Sequence, residues 1–125
     1  MPYKDYRFTK DHEWVQITDG IATIGITKHA TNELGEVVFI EVLDSETLKQ
    51  KDEVGTVESV KTVSSVYTPI SGAYIESNEQ VIKDPNLINE DPMKDGWLVK
   101  IKPDNLKELD TLLDYEAYKE FVDSL

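Results

Sequence analysis

A lysine within a strand-like segment is the residue of this chain best suited to chemistry. Lys61 lies in VESVKTVSSV, residues 57–66, where valine, threonine and serine disfavour a helix. A lysine amine can act as a base when it is desolvated, or accept an acyl group when it is accessible. Ser59 would share a strand face with Lys61, so a Ser–Lys hydrolytic dyad is one hypothesis. The dyad needs a desolvated lysine, whereas Lys61 is expected in a turn, where its side chain would be exposed to water.

The other reactive side chains form no recognisable catalytic or metal-binding pattern. His12 and His29 are expected in a strand and a helix, and they lack the spacing of a zinc motif. The absence of cysteine excludes disulfides, thiolate catalysis and cysteine-based metal sites. Carboxylate pairs such as Asp52 and Glu53 are expected by chance, and no phosphate loop, calcium loop or serine elbow is present. The sequence therefore favours a protein that is not an enzyme on its own.

Length and charge indicate one acidic domain. The 125 residues suffice for a single modest core. The net charge of −12 disfavours nucleic acid and anionic membranes, and it serves either solubility or docking onto basic partners. No apolar stretch is long enough to cross a bilayer, and the N-terminal residues do not resemble a signal peptide. We expect a cytoplasmic location in a bacterium, or the mitochondrial matrix for a processed eukaryotic chain.

Alternating apolar residues predict strands over the first four fifths of the chain. HEWVQITDGIATIGI should form a hairpin that turns at Asp19-Gly20. TKHATNELGE should form a short helix between a Thr27 cap and a Gly35 cap. The remaining predictions are a strand VVFIEV, a polar connection LDSETLKQKDEV, a strand–turn–strand YTPISGAYIES, a loop KDPNLINEDPMKDG with at most one helical turn, and a last strand GWLVKIKP.

The apolar period changes to a helical one after Asp104. Leu106, Leu109, Leu112 and Leu113 recur at helical spacing, and Asp114 can cap a following helix. Terminal helices of this kind would pack their apolar face onto a sheet. We predict a mainly β fold, a small antiparallel β sandwich or flattened barrel, with a short internal helix and C-terminal helices over about 104–124.

The segment around Lys61 carries a conflict between its pattern and its expected turn. Valines recur every three residues from Val54 to Val66, which fits two strands whose phase shifts at a reversal near Val60-Lys61. Val-Lys is nevertheless a poor sequence for a tight primed turn, which favours Asn-Gly or Asp-Gly. Such a conflict points to a functional position.

The same segment resembles a known family. VESVKTVSS followed by YTPISG is similar to the lipoyl-attachment hairpin, here about 54–72, of the glycine cleavage system H proteins. The likeness extends over nearly the whole chain through DHEWV, IATIGIT, LGEVVFIEV, LINEDP, GWLVKIKP and LKELDTLLDYEAY. It implies a lipoyl (biotinyl/lipoyl-carrier) type fold, with residues 1–125 as one domain.

The resemblance also implies roles for individual residues. Lys61 would carry lipoic acid in amide linkage. Glu58, Ser59 and Val60 would belong to the surface that the lipoate-attaching enzyme reads. His12, Glu13 and Ser65 would lie near the cleft in which the arm rests.

The function implied by the resemblance is that of a monomeric carrier. The lipoylated chain would take an aminomethyl group from a pyridoxal-phosphate glycine decarboxylase to a tetrahydrofolate-dependent aminomethyltransferase. Dihydrolipoamide dehydrogenase would then reoxidise it. No nucleic-acid or membrane partner is implied.

Three parts of the sequence depart from the family pattern. Lys51-Asp52 stands where Gly-Asp is usual, so the preceding turn is expected to be built differently. Ser65 stands where an acid is often found, so Glu13 would have to hold the amine of the loaded arm. The segment LDSET also replaces residues of the Pro-Glu-x-Gly type.

Three alternatives remain open. A lipoyl domain of a 2-oxo acid dehydrogenase or a biotin carrier is disfavoured by Val60, Thr62 and the extra helices. An H-like protein that relays lipoate to other proteins would share the same residues. The Ser-Lys hydrolase is the alternative from a different class.

Overall fold

The fold consists of two antiparallel sheets with short helices at their edges. The computed structural model describes residues 3–44 and 46–125. Within these ranges the strands are β1 (Tyr6–Phe8), β2 (Glu13–Thr18), β3 (Ile21–Ile26), β4 (Val37–Val42), β5 (Thr47–Leu48), β6 (Glu53–Ser59), β7 (Val63–Tyr67), β8 (Gly72–Ser77) and β9 (Val99–Pro103). The helices are α1 (Lys28–Leu34), α2 (Glu79–Lys83), α3 (Asn86–Glu90), a 3₁₀ helix (Leu106–Thr111) and α4 (Tyr115–Asp123).

The core lies between the two sheets. One sheet has the order β1-β2-β3-β9-β8-β5 and the other the order β4-β6-β7. Apolar side chains from both sheets, such as Ile24 and Ile101 from the first and Ile40 and Val57 from the second, are buried in one cluster. The two sheets stay separate in the described ranges, so the sandwich is the correct one of the two predicted architectures.

The local signals at the β2–β3 hairpin and at α1 are confirmed. Asp19 and Gly20 have φ values of 52° and 77°, as a primed turn requires. Thr27 caps α1 by accepting a hydrogen bond from the backbone N–H of Ala30 at 3.2 Å. Gly35 ends the helix at φ 79° and ψ −149°, a backbone conformation open essentially to glycine.

Two predictions need correction, and the helix α2 was not predicted. The polar connection 43–54 contains the two-residue strand β5 and the start of β6, although Ser45 lies outside the described residues. The predicted loop, residues 83–96, contains the short helix α3, in line with the one helical turn expected there. The helix α2, which Asn78 caps, ends where this loop begins and was not predicted. His12 lies in the turn before β2, with φ 71°, and not in a strand.

The C-terminal helices are confirmed and are held by aromatic packing. Asp114 caps α4 by accepting a hydrogen bond from the N–H of Ala117 at 2.8 Å. The first of the two segments is a 3₁₀ helix. A second cluster of buried residues joins α4 to the sheet, with Phe8 and Tyr118 stacked at a centroid distance of 4.6 Å. This packing places α4 beside the turn that contains His12.

The family departure at Lys51 coincides with a backbone strain. Lys51 has a φ of 78°, and its N–H donates to the carbonyl of Thr68 at 2.8 Å. A side chain at positive φ costs roughly 1–2 kcal/mol, which glycine avoids. We expect Lys51→Gly to raise the free energy of unfolding by about 1 kcal/mol, measured by urea denaturation.

Lys49→Gly is the matched control for this variant. Lys49 lies in the same turn and is exposed, but it is not among the described residues with positive φ. Glycine should lower stability there by roughly 0.5–1 kcal/mol, because it only adds freedom to the unfolded chain. Equal effects of the two substitutions would show that the Lys51 backbone is not strained.

Candidate functional site

The turn that bears Lys61 is shaped by the side chain of Ser59. The N–H of Ser59 donates to the carbonyl of Thr62 at 2.8 Å, and Glu58 pairs with Val63 across the strands. The hydroxyl oxygen of Ser59 accepts hydrogen bonds from the N–H groups of Lys61 and Thr62, both at 3.1 Å. None of residues 60–62 has positive φ. The turn is thus not a primed one, and the poor Val-Lys propensity is met by a serine cap.

The Lys61 side chain is exposed and lies against the end of α1. A Cβ added to Gly35 would approach Lys61 Cε to 3.2 Å and Nζ to 3.7 Å. The N–H of Val60 donates to the carbonyl of Glu36 at 3.0 Å, so the turn is braced against the α1–β4 junction. The hairpin of β6 and β7 is therefore braced at its tip, where it presents the lysine.

Asn89 of α3 fixes that junction from the other side. Its side-chain amide donates to the carbonyl of Gly35 at 2.8 Å, and its oxygen accepts from the N–H of Val37 at 2.9 Å. The segment that was expected to be a loop thus supports the surface on which Lys61 lies. Sequence periodicity gave no signal for this contact, because it joins residues 54 positions apart.

The hydroxyl of Ser59 is engaged by backbone groups. Within the part of the chain that the structure describes, it bonds to the backbone of Lys61 and Thr62. The Lys61 side chain extends toward Gly35 and is exposed. This arrangement gives no support to a Ser–Lys dyad, which needs a desolvated lysine beside an available hydroxyl.

A cavity of about 270 Å³ lies next to the Lys61 turn. It is lined from Thr62 along β7, and the three residues predicted for the cleft, His12, Glu13 and Ser65, all contribute to it. The lining also includes residues that the sequence did not single out: Asp11, Glu33 and Ser64. The cavity therefore gathers several polar and acidic side chains beside the lysine turn.

Strand alternation could have indicated Ser64 as a residue that lines the cavity. It pairs with Val57 and shares its face of β7 with the buried Val66. Ser65 pairs with Thr56 and lies on the opposite face with Val63. Both serines line the cavity, on β7, which is an edge strand of the three-stranded sheet.

Glu13 is the buried acid of the site. Its side chain is 2% exposed, accepts a hydrogen bond from the Thr9 hydroxyl at 2.6 Å, and accepts another from the N–H of Tyr67 at 3.1 Å. Burial raises its pKa from 4.5 to about 7, against the lowering effect of these two bonds, while the charge of Asp11 raises it slightly further. The carboxyl group therefore titrates near neutral pH.

His12 links three segments around the cavity. Its Nδ1 shares a hydrogen bond of 2.8 Å with the Tyr118 hydroxyl, which also lies 2.7 Å from the hydroxyl of Thr27. Its ring is 4.4 Å from that of His29, centroid to centroid. Burial, followed by the neighbouring His29, lowers the pKa of His12. These contacts join the start of β2 to α1 and α4, so His12 is a positioning residue in this fold.

The serine cap predicts a measurable effect on stability. In Ser59→Ala, the N–H groups of Lys61 and Thr62 lose the oxygen that accepts from both. We expect the free energy of unfolding to fall by about 1–2 kcal/mol, measured by thermal and urea denaturation.

Ser64→Ala provides the control, because the exposed Ser64 hydroxyl makes a single, 3.5 Å contact, with the carbonyl of Ser65, among the residues that the structure describes. It should change stability by less than about 0.5 kcal/mol. A Ser59→Ala variant as stable as Ser64→Ala would contradict the capping role.

The fold and the position of Lys61 define a class of protein: the lipoyl-domain type of β sandwich, with a lysine presented on a hairpin tip. A family model described as "Glycine cleavage H-protein" matches residues 6–125. The chain belongs to this family, the lipoyl shuttles of the glycine cleavage system.

Individual relatives agree with the family match. The chain is 48% identical over 122 residues to a glycine cleavage system H protein of Parvibaculum lavamentivorans, covering 97% of this chain and 98% of that one. It is 44% identical over 119 residues to one of Staphylococcus epidermidis, covering 94% of each. A crystal structure of a glycine cleavage system H protein from Mycobacterium marinum superposes with a TM-score of 0.86, at 36% identity and 98% coverage of both chains.

No helix in the described ranges combines the length and apolarity that a membrane span requires.

Proposed function

We propose that residues 1–125 act as one lipoyl-carrier domain, acylated by lipoic acid on Lys61. The chain would carry the aminomethyl group from glycine decarboxylase to the aminomethyltransferase and then be reoxidised by dihydrolipoamide dehydrogenase. The observation that carries this proposal is an exposed lysine on a braced hairpin tip, beside a cavity with a buried acid. Family membership supports the same assignment.

The residues around Lys61 fit an attached lipoyl group. The side chain is exposed, so an attaching enzyme can reach its amine, and the Ser59 cap holds its backbone in a fixed place. When bound, lipoic acid supplies the dithiolane on which the redox and transfer chemistry takes place. The chain itself needs no cysteine for that role.

The cavity residues are proposed to hold the loaded arm between its reactions with the partner enzymes. Glu13 offers a carboxylate in a water-poor setting, where an amine within hydrogen-bond reach would favour its ionised form. Ser65 offers a hydroxyl, and Asp11 and Glu33 line the same cavity as further acids. His12 would act by keeping the start of β2 in place. The cavity thus provides a site for a primary amine.

Glu58, Ser59 and Val60 are proposed to be read by the lipoate-attaching enzyme. Glu58 and Val60 are exposed, whereas Ser59 is buried and acts by fixing the turn. The chain would serve as a substrate of its partner enzymes and catalyse none of the steps alone. We also propose that the chain is a monomer. A location in the bacterial cytoplasm is proposed because the relatives reported above are bacterial.

Two measurements test this function. The intact mass of the chain, after incubation with lipoate, ATP and a lipoate ligase, should increase by one lipoyl group. The loaded chain should then support the exchange of bicarbonate into glycine by glycine decarboxylase, and the unloaded chain should not. A loaded chain that donates its lipoyl group to other proteins but supports no exchange would favour the lipoate relay.

A further inference from the structure

Four exposed apolar side chains surround the Lys61 turn. Val38, Phe39, Val60 and Val63 are 45%, 54%, 66% and 60% exposed, respectively. Single exposed apolar residues are common on proteins, but several gathered at one end of a sheet indicate an interaction surface. We call these four residues the tip patch.

The sheet register makes the tip patch continuous. Phe39 on β4 pairs with Glu58 on β6, which pairs with Val63 on β7, so the three side chains form a row across the sheet. The register shift between Val37 and Phe39 places Val38 at an irregularity beside this row. Val60 is tied to the same end of β4 by its bond to the carbonyl of Glu36. The patch therefore has a fixed shape on three neighbouring strands.

The charges around the patch specify the chemistry of its partner. Glu58 lies in the middle of the row, between Phe39 and Val63. Glu36, just before β4, and Glu41, on β4, are also exposed. A complementary surface would be apolar and carry a cation opposite Glu58. Phe39 is the aromatic side chain most suited to anchor such a contact.

We propose that the tip patch is the docking surface for the lipoate-attaching enzyme. The inference rests on the proposed acylation of Lys61 and extends its recognition surface to β4 and β7. An enzyme that acylates the lysine amine must bring that amine into its own active centre, and it must therefore cover the turn. Enzymes that act on the far end of a long arm have no such need.

Phe39→Thr tests the proposal, with Ile75→Thr as the matched control. Ile75 lies on β8 in the other sheet and is 43% exposed, so both variants replace an exposed strand residue by the same β-branched one. Lipoylation of each intact chain by a lipoate ligase, with lipoate and ATP, would be followed by mass spectrometry as a function of carrier concentration. We expect kcat/KM to fall about tenfold for Phe39→Thr, mainly through KM, and to change less than about twofold for Ile75→Thr.

The outcomes separate this inference from the function on which it rests. If the wild-type chain gains no lipoyl group, the proposed function itself fails. If the wild type is lipoylated and Phe39→Thr matches it, the docking proposal is wrong. The proposal is also overturned if Phe39→Thr, once fully lipoylated, slows only the exchange reaction of the decarboxylase, because the patch would then belong to that enzyme. Sedimentation showing a wild-type dimer that this variant dissociates would assign the patch to a second copy.

Discussion

Lys61→Arg should abolish lipoylation completely. Arginine keeps the positive charge and a comparable length, but its guanidinium stays protonated and does not accept the acyl group as an amine does. Since residue 61 is exposed and its backbone is held by Ser59, the fold should be retained. Intact mass after incubation with a lipoate ligase should show one added lipoyl group on the wild type and none on the variant.

Lys49→Arg is the control for this substitution. It changes an exposed lysine outside the hairpin tip and should leave the lipoyl mass gain unchanged. Equal thermal midpoints of both variants and the wild type would show that folding is not the cause of any loss. Lipoylation of Lys61→Arg to the wild-type extent would place the attachment site elsewhere and refute the proposal.

Glu13→Gln should change how stability depends on pH. The folded protein holds a proton on Glu13 up to about pH 7, whereas the unfolded chain releases it near 4.5. Between these values the folded state binds more protons, so this residue lowers the free energy of unfolding as the pH rises. The loss accumulates to an amount on the order of 3 kcal/mol and is complete above about pH 7. Glutamine does not titrate and removes this contribution.

The difference in unfolding free energy, variant minus wild type, should therefore increase from pH 4.5 to pH 8 in urea denaturation series. Glu41→Gln, which removes one charge at an exposed position of β4, distinguishes burial from a general charge effect. A difference curve for Glu13→Gln that is flat across this range, or that falls, would contradict the buried, high-pKa carboxyl group. The same variant in the loaded carrier would test whether the carboxylate shelters the arm.

Much of the fold could be predicted because its signals are local. Asp19-Gly20 specifies its own hairpin, Thr27 its own cap, and the shift in valine phase near Val60 marks the reversal. The strand β5 escaped prediction because its two residues are set by pairing with β8, far along the chain. The helix α2 was missed for a related reason, since a helix this short is stabilised mainly by tertiary contacts.

Some residues of the candidate site could likewise be predicted from the sequence, and others could not. Lys61 stood out because its residue type conflicted with its surroundings, and the resemblance then suggested Glu13 and Ser65. Asp11 and Glu33 gave no signal, because acids are abundant in this chain and only the fold gathers these two at one cavity. The positive φ of His12 likewise goes with a long-range contact: the His12 carbonyl accepts a hydrogen bond from the N–H of Thr27.

Because Ser59 fixes the backbone of the turn, the shape of the tip does not depend on which side chains it displays. A turn made by glycine would offer a partner little more than backbone, whereas here positions 60, 61 and 62 all display side chains while Ser59 fixes their path. Val60 and Thr62 can therefore change without altering the geometry that presents the lysine. Substitutions at these two positions are therefore expected to change what a partner meets at the tip while Lys61 stays in place. Substitutions at the tip should therefore be able to direct this chain to another attaching enzyme.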